Sequence, residues 1–456
     1  MISSLRDIID FLKSLDELLV VDIPLSPKFE IAAALKVFDG FPILFENVAG
    51  YNVRVVGGIC SSKELVGKVL NVPFRTLHDA LLDAIGNPMA PTITDNAPVK
   101  EKIEKPNLSN LPILTHYERD AGPYITCGVV FARDLDGKFQ NASIHRMLVL
   151  DEKTLVIRVV PRHLYYLLKQ AEKLGRPLPI AIAIGLHPAI LLAAASSPPL
   201  GVDELHVANA LMQNNLKVTY CNHSEILVPA ESEIVLEGFI YPDKLAEEGP
   251  FVDITGTYDF KRNQPVVEIV EVMMRRNPIY QALLPAGIEH RFLMGFHREA
   301  QIRRYVSRVV PKVKDVRLSF GGCGWLHAII SIEKSSEGDG KNAILAAFAA
   351  HPSLKHVIVV DSDIDIYDLN SVEWAIATRF QAHKDLVVIK NVRGSSIDPS
   401  IDEKKLLTSK MGIDATKPLD KPQSLFMKAL IPSLSEVKKK LEDLKLVSKQ
   451  RTRTNA

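Results

Sequence analysis

What most constrains the fold of this chain is a change in hydrophobic period along its length. From about Ile113 to Arg276 the apolar residues fall into short β-type runs, among them Tyr124–Phe131, Met147–Leu150, Leu155–Val160, Glu233–Glu237 and Val266–Val272. One helical pattern, His163–Gly175, interrupts them. Sequential strands with few helices predict a barrel or split barrel. Before this stretch, apolar positions at helical spacing predict a helix over Leu5–Leu19, followed by strands at Pro42–Phe45 and Val53–Gly57. The proline-punctuated segment Pro88–Pro112 closes that unit. After Arg276 strands and helices alternate again: strands at Val316–Phe320 and His327–Ile332, a helix near Asn342–Ala350, and a strand at Val357–Val360. That order predicts a layered α/β domain.

The expectation is therefore an α/β (α+β) chain in four parts. These are a small N-terminal α/β domain over 1–110, a central split β-barrel over 111–300, a C-terminal layered α/β domain over 301–425, and a terminal helix and tail over 426–456. In the last part Ser433 or Ser435 is a candidate N-cap, and Leu434, Val437, Leu441 and Leu444 form a narrow apolar stripe. Such a stripe suits a partner interface or packing on its own subunit equally well. Residues Lys449–Ala456 are expected to fray.

Composition narrows the class. The 456 residues are 47% hydrophobic and 24% charged, as in an ordinary globular protein. A formal net charge of +1 gives no field that would favour nucleic acid or an anionic membrane. Cys60, Cys127, Cys221 and Cys323 stand singly, without the CxxC spacing of a zinc or redox pair. Pro179–Ala195 is the most apolar stretch, but Gly185, His187 and Pro188 break it, so a buried strand and turn is expected rather than a membrane span. No signal-peptide pattern follows Met1, and the expected location is the cytoplasm.

No GxGxxG after a strand, Walker A, HExxH or GxSxG motif occurs. The pairs His351/His356 and His290/His297 lack metal-ligand spacing with a third residue, and a structural role is expected for them. Asp361-Ser-Asp-Ile-Asp365 resembles a cluster for a hard cation, although capping the preceding strand is the favoured reading. Two segments carry more chemistry. In Asn141-Ala-Ser-Ile-His-Arg146, followed by Arg158, Arg162 and His163, the Asn amide oxygen, backbone carbonyls and an Arg on one strand could hold a phosphate–metal pair, or the segment forms an ordinary polar strand edge. In Glu248-Gly-Pro-Phe-Val-Asp253 a Gly-Pro turn can aim two carboxylates into one cleft, where an arginine would make them a general acid/base unit. Taken alone, a solvated acidic turn explains that segment as well.

Across nearly its whole length the chain resembles the UbiD decarboxylases, which use prenylated FMN. The landmarks occur in the family's order. They are Pro42–Glu46, Asp120–Thr126, Asn141–Arg146, Pro229–Gly238, Glu248–Asp253, Val360–Ile366, Gly394–Pro399 and Met411–Thr416. The resemblance implies that Asn141 and Glu204 bind a divalent metal, usually manganese, which joins the protein to the cofactor phosphate. His163 would be a further metal or cofactor contact. Ile144, His145 and Arg146 would line the flavin, Arg162 would contact it, and Lys390 would reach it from the third domain. Some such sites also hold a monovalent ion, potassium here. Arg146, Glu248 and Asp253 would form the catalytic network. Asp253 stands where many members have glutamate, and His145 where tyrosine is common.

The implied reaction is non-oxidative decarboxylation of an α,β-unsaturated or aromatic acid, with a flavin prenyltransferase supplying the cofactor and a homo-oligomer as the expected assembly. Ser143-Ile-His-Arg146 and Asp253 lean toward the archaeal members that convert trans-anhydromevalonate 5-phosphate to isopentenyl phosphate in a modified mevalonate pathway. His145, Arg162 or Arg393 would then bind the substrate phosphate. The alternatives are an aromatic acid decarboxylase of quinone or phenolic acid metabolism, and a non-catalytic flavin-binding subunit of a larger carboxylase.

Overall fold

A computed structural model describes residues 2–443 apart from 138, 403 and 430. Its centre is a nine-stranded antiparallel sheet. The path runs Tyr124–Ile125, Met147–Val149, Thr154–Ile157, Arg262–Met274, Ile234–Glu248, Leu178–Ile184, Val129–Arg133 and Gln140–Ile144, and Lys102–Glu104 pairs beside the Arg262–Met274 strand. The sheet curls into a half-barrel. At Gly238, where the two longest strands shift register, a Cβ atom would stand 2.3 Å from the carbonyl oxygen of Glu268, so only glycine fits.

Both faces of this sheet are buried, in two different cores. Val129, Phe131, Ala181, Ala183 and Val235 face one cluster, shared with the helices behind the sheet. Their neighbours Val130, Ala132, Ile180, Ile182, Ile184, Ile234 and Leu236 face the other, inside the curl. The period-2 geometry of a strand produces this division. Each large aliphatic side chain removed from water contributes about 1.5–3 kcal/mol, so both faces hold the sheet.

The central segment contains three helices where one was expected. His163–Lys173 matches the amphipathic pattern. Pro188–Ser196 and Glu204–Leu211 are additional, and the first of them corrects the strand-and-turn reading of Pro179–Ala195. In that stretch the strand Leu178–Ile184 passes at Gly185 into a helix buried on nearly every side. A helix with no wet face has no amphipathic period to display.

The N-terminal helix ends at Ser14, short of Leu19, because Asp16 takes a left-handed conformation and Leu19–Val21 becomes a strand. That strand, Ile43–Phe45 and Arg54–Gly57 form a sheet completed by Ile279–Gln281 from far along the chain. With Lys102–Glu104 lying in the central sheet, residue 110 marks no break in the packing. Residue 300 lies inside the helix Ile288–Val306, whose Phe292 and Phe296 pack on the central core while Ile302 and Val306 pack on the C-terminal one. The C-terminal sheet runs Val313–Leu318, His327–Ile332, His356–Asp361, Leu407–Ala415 and Leu386–Arg393. Ala328 and Ile330 face one of its cores, and Ile329 faces the other.

In the terminal helix Leu434–Asp443, Leu434, Val437 and Leu441 are exposed. Leu444 and the tail expected to fray lie outside the described residues. Among the described residues no helix is long and apolar enough to cross a membrane.

Candidate active site

Arg146 follows the strand Gln140–Ile144, and four hydrogen bonds to three carboxylates fix its guanidinium. Nε donates to Glu248 Oε1 and Nη2 to Glu248 Oε2, each at 2.9 Å. Nη1 donates to Asp253 Oδ2 at 3.0 Å, and Nη2 also donates to Asp259 Oδ2 at 2.8 Å. Phe251 lies beneath the guanidinium, its ring centre 4.8 Å from the central carbon. Glu248 ends the long strand Ile234–Glu248, and the cis Gly249–Pro250 bond follows it. Phe251–Val252 then pairs with Tyr258–Asp259 as a short hairpin. The turn therefore directs both carboxylates onto one arginine.

Their surroundings differ. Glu248 has no exposed side-chain surface and also accepts from the Tyr124 hydroxyl at 3.3 Å, whereas the Asp253 side chain is 22% exposed. Asp259 was not singled out in the sequence. Its signal is the turn Asp253-Ile-Thr-Gly256, which reads as a hairpin and sets Asp259 opposite Phe251. Asp259 also pairs with Arg262, and Arg158 Nε lies 3.9 Å away.

Asn141, His163 and Glu204 converge nearby. Glu204 opens its helix, is 2% exposed, and accepts from Asn141 Nδ2 at 2.9 Å and from the Ala142 amide at 2.7 Å. His163 Nδ1 stands 3.9 Å from Glu204 Oε1. Burial pushes the Glu204 carboxyl above its ordinary range, a condition that a divalent cation relieves. Amide, imidazole and carboxylate donors suit manganese or magnesium. Turning the Asn141 amide would bring Oδ1 toward Glu204 to complete the set. These residues fit a metal that anchors a phosphate.

His145 is locked by its neighbours: Nδ1 donates to the Arg158 carbonyl at 2.9 Å and Nε2 accepts from the Ser143 hydroxyl at 2.9 Å. Burial holds its pKa down at about 4, so the ring is neutral near pH 7. Ile144 is half-buried against the helix-side core. Arg162, exposed at the N-cap position of the helix His163–Lys173, donates to Ser197 Oγ at 3.0 Å. Lys390 is not brought into the group. It sits exposed on the edge strand Leu386–Arg393, with no hydrogen bond or ion pair to the other candidates among the described residues. His290, expected to be structural, lies close enough to Asp253 and Arg146 for their charges to act on its ring.

Two other clusters are explained by local structure. Arg379 clasps Asp361 and Asp363 at 2.8 Å each. His223, Glu237 and Glu271 have cation-site spacing, but the Glu237 oxygens already accept from the Asn222 and His223 amides and from Ser224.

A nine-stranded half-barrel with an Arg–Glu–Asp centre beside an Asn/His/Glu set is the arrangement implied by the resemblance to flavin-dependent carboxy-lyases. Models of three domains described as 3-octaprenyl-4-hydroxybenzoate carboxy-lyase match the chain: the N-terminal domain over residues 9–85, the Rift-related domain over 92–288 and the C-terminal domain over 291–415. The chain belongs to the UbiD family. The anhydromevalonate phosphate decarboxylase of Methanocaldococcus jannaschii is 48% identical over 408 residues, covering 89% of this chain and 95% of the relative. That of Methanothermobacter thermautotrophicus is 45% identical over 404 residues, 89% of this chain and 95% of the relative. The UbiD-class enzyme HmfF of Pelotomaculum thermopropionicum, solved with FMN, superposes with a TM-score of 0.93 at 44% identity over 95% of this chain and 98% of that one. An evolved dimeric form of HmfF with prenylated FMN gives 0.89 at 43% identity, over 95% and 98%.

Proposed function

We propose that this chain is a prenylated-FMN-dependent decarboxylase that converts trans-anhydromevalonate 5-phosphate to isopentenyl phosphate. The observation that carries the reading is the unequal pair of carboxylates on Arg146. Glu248 is fully buried and held on both oxygens, which suits a fixed counter-charge. Asp253 keeps an accessible side chain, which suits a group that delivers a proton to substrate. The relatives named as anhydromevalonate phosphate decarboxylases support the choice of acid.

Prenylated FMN, when bound, supplies the electron sink for the bond broken as CO₂ departs. Asn141, His163 and Glu204 would hold a divalent metal, manganese in this reading, against its phosphate. Ile144 and neutral His145 would form a wall of its pocket. Arg146 holds Glu248 and Asp253 in place by hydrogen bonds and retains one Nη1 donor for the substrate carboxylate. Loss of CO₂ leaves an electron pair on the α-carbon. Asp253 transfers its proton there and is reprotonated from solvent, so one proton is taken up for each CO₂ released.

A flavin prenyltransferase would supply the cofactor. A homo-oligomer is part of the reading, supported by the exposed Leu434, Val437 and Leu441. The test is co-expression with such a transferase, followed by parallel assay of trans-anhydromevalonate 5-phosphate and simple aromatic acids. Turnover of the first is expected. Turnover of aromatic acids alone would overturn the assignment.

A further inference from the structure

A cavity of about 150 Å³ lies where three parts of the chain meet. Residues 61–64, at the start of the helix Lys63–Leu70, close one end. One face of the helix Ile288–Val306, from Arg291 to Glu299, forms the floor. Arg317, Leu318, Phe320 and Tyr367 of the C-terminal domain form the roof. No residue of the Arg146 centre or of the Asn141/His163/Glu204 set lines this space, so it is separate from the catalytic cleft.

Its carboxylates are committed elsewhere, and two of its cations are not. Glu299 pairs with Lys63 at 2.8 Å and with His78 at 3.0 Å, and Glu64 faces solvent. Just outside the wall, Asp315 accepts from the Tyr367 hydroxyl at 3.0 Å. Arg291 donates from Nη1 to the Phe320 carbonyl at 3.1 Å, and its Nε is buried without a partner. Arg317 donates from Nη1 to the carbonyls of Ile366 and Tyr367 at 3.2 and 3.0 Å. Its guanidinium carbon lies 4.9 Å from the Tyr367 ring centre and 5.8 Å from that of Phe320. Among the described residues neither arginine meets a carboxylate, whereas Arg146, Arg275 and Arg379 each meet two or more.

A buried guanidinium nitrogen without an acceptor costs free energy that a ligand oxygen recovers. The guanidinium fork matches a carboxylate, and the phenyl walls match a flat apolar body. An apolar cavity of this size admits a benzene ring. Lys63, Arg291 and Arg317 against Glu64 and Glu299 leave the lining one positive charge in surplus, which a monoanion cancels.

We propose that this cavity is an effector site for a small aromatic carboxylate, held by Arg291 and Arg317 between Phe296 and Phe320. The site has a short physical path to the acid. Arg291 grips the carbonyl of Phe320, where the turn Phe320–Gly324 begins. At Gly295 a Cβ atom would stand 2.6 Å from the Gly324 carbonyl oxygen, so helix and turn touch directly. Cys323 Sγ of the same turn lies 3.9 Å from the Thr255 carbonyl oxygen, in the turn that carries Asp253. An occupant drawing on Arg291 therefore acts on the segment against which Asp253 is set.

The test uses holoenzyme with benzoate as the probe, read by calorimetry and by the rate of CO₂ release at saturating substrate. Benzoate is expected to bind wild type and to lower kcat while KM stays constant. Arg317→Gln should weaken that binding about 10- to 100-fold, the loss of one to two charged hydrogen bonds, and Arg317→Lys should restore part of it. Arg146→Lys should bind benzoate as wild type does. Equal binding by wild type and Arg317→Gln would overturn the site. Purely competitive inhibition, or loss of binding in Arg146→Lys, would place benzoate in the catalytic cleft and overturn it too, and binding without any change in kcat would overturn the effector role. Photolabelling of wild type with 4-azidobenzoate needs no variant to fold: label on residues 291–299 or 317–320 supports the site, and label only elsewhere overturns it.

Discussion

Arg146 meets Glu248 edge-on, with two parallel bonds of 2.9 Å that lock the guanidinium in plane and leave its outer edge for Asp253. A lysine cannot reproduce this fork. Arg146→Lys is expected to lower kcat about 100- to 10,000-fold, the range of a lost general acid, and Asp253→Asn to do the same. Flavin absorbance should persist in both. Wild-type CO₂ release from either variant would remove the acid/base assignment.

Asp259 shares Nη2 of Arg146 with Glu248 and also pairs with Arg262. Asp259→Asn leaves Arg262 without its carboxylate and takes one of three from Arg146. A stability loss of about 1.5–3 kcal/mol is expected in chemical denaturation, a charged hydrogen bond's worth. The loss should shrink in an Asp259→Asn/Arg262→Gln double variant, and simple additivity would show that the two do not act together.

Asn141, His163 and Glu204 are expected to bind metal and cofactor as one unit. Alanine at Asn141 or Glu204 should lower bound manganese, measured by elemental analysis, together with flavin content. Chelation of wild-type protein should release flavin as well. A Glu204→Ala variant that retained both would place the metal elsewhere.

Glu299, buried beside Lys63 at 2.8 Å and His78 at 3.0 Å, ties the N-terminal unit to the helix Ile288–Val306. Burial opposes its charge, but Lys63 and His78 outweigh burial and hold the carboxyl down to about 2, against 4.5 in an unfolded chain. With the folded value depressed, its stabilisation is complete above about pH 4.5 and disappears as pH falls toward 2. Glu299→Gln should cost about 3 kcal/mol at pH 7 and flatten the acid limb of a stability–pH curve. An unaltered limb would show that other carboxylates set it.

Leu434, Val437 and Leu441 face solvent on the terminal helix. Removing residues 433–456 should lower the mass seen by light scattering while the melting temperature of the remainder changes little. An unchanged mass would assign the stripe no part in assembly.

The sequence was readable where one face of an element is wet. The alternating run Val266–Val272 became a strand, and the amphipathic His163–Lys173 became a helix. It was opaque at Pro188–Ser196, where burial on every side erases the period. The pairing of Ile279–Gln281 with Arg54–Gly57 was hidden too, because contacts so distant in sequence leave no local signature. At the site, Arg146, Glu248 and Asp253 were named from the resemblance and lie together in space. Asp259 was passed over, since an isolated charged residue looks the same in sequence whether it meets water or a buried neighbour.

The doubly buried central sheet also limits how such an enzyme can be altered. A strand with one wet face can change that face freely, but each residue of Ile180–Ile184 is committed to one core or the other. Retargeting the protein to a new acid is therefore a task for its periphery: the helix side chains and turns that approach the cleft can be randomised while the sheet is kept as an invariant chassis. Libraries that spare the strands and vary those helix and turn positions should retain far more folded members than libraries spread evenly over the chain.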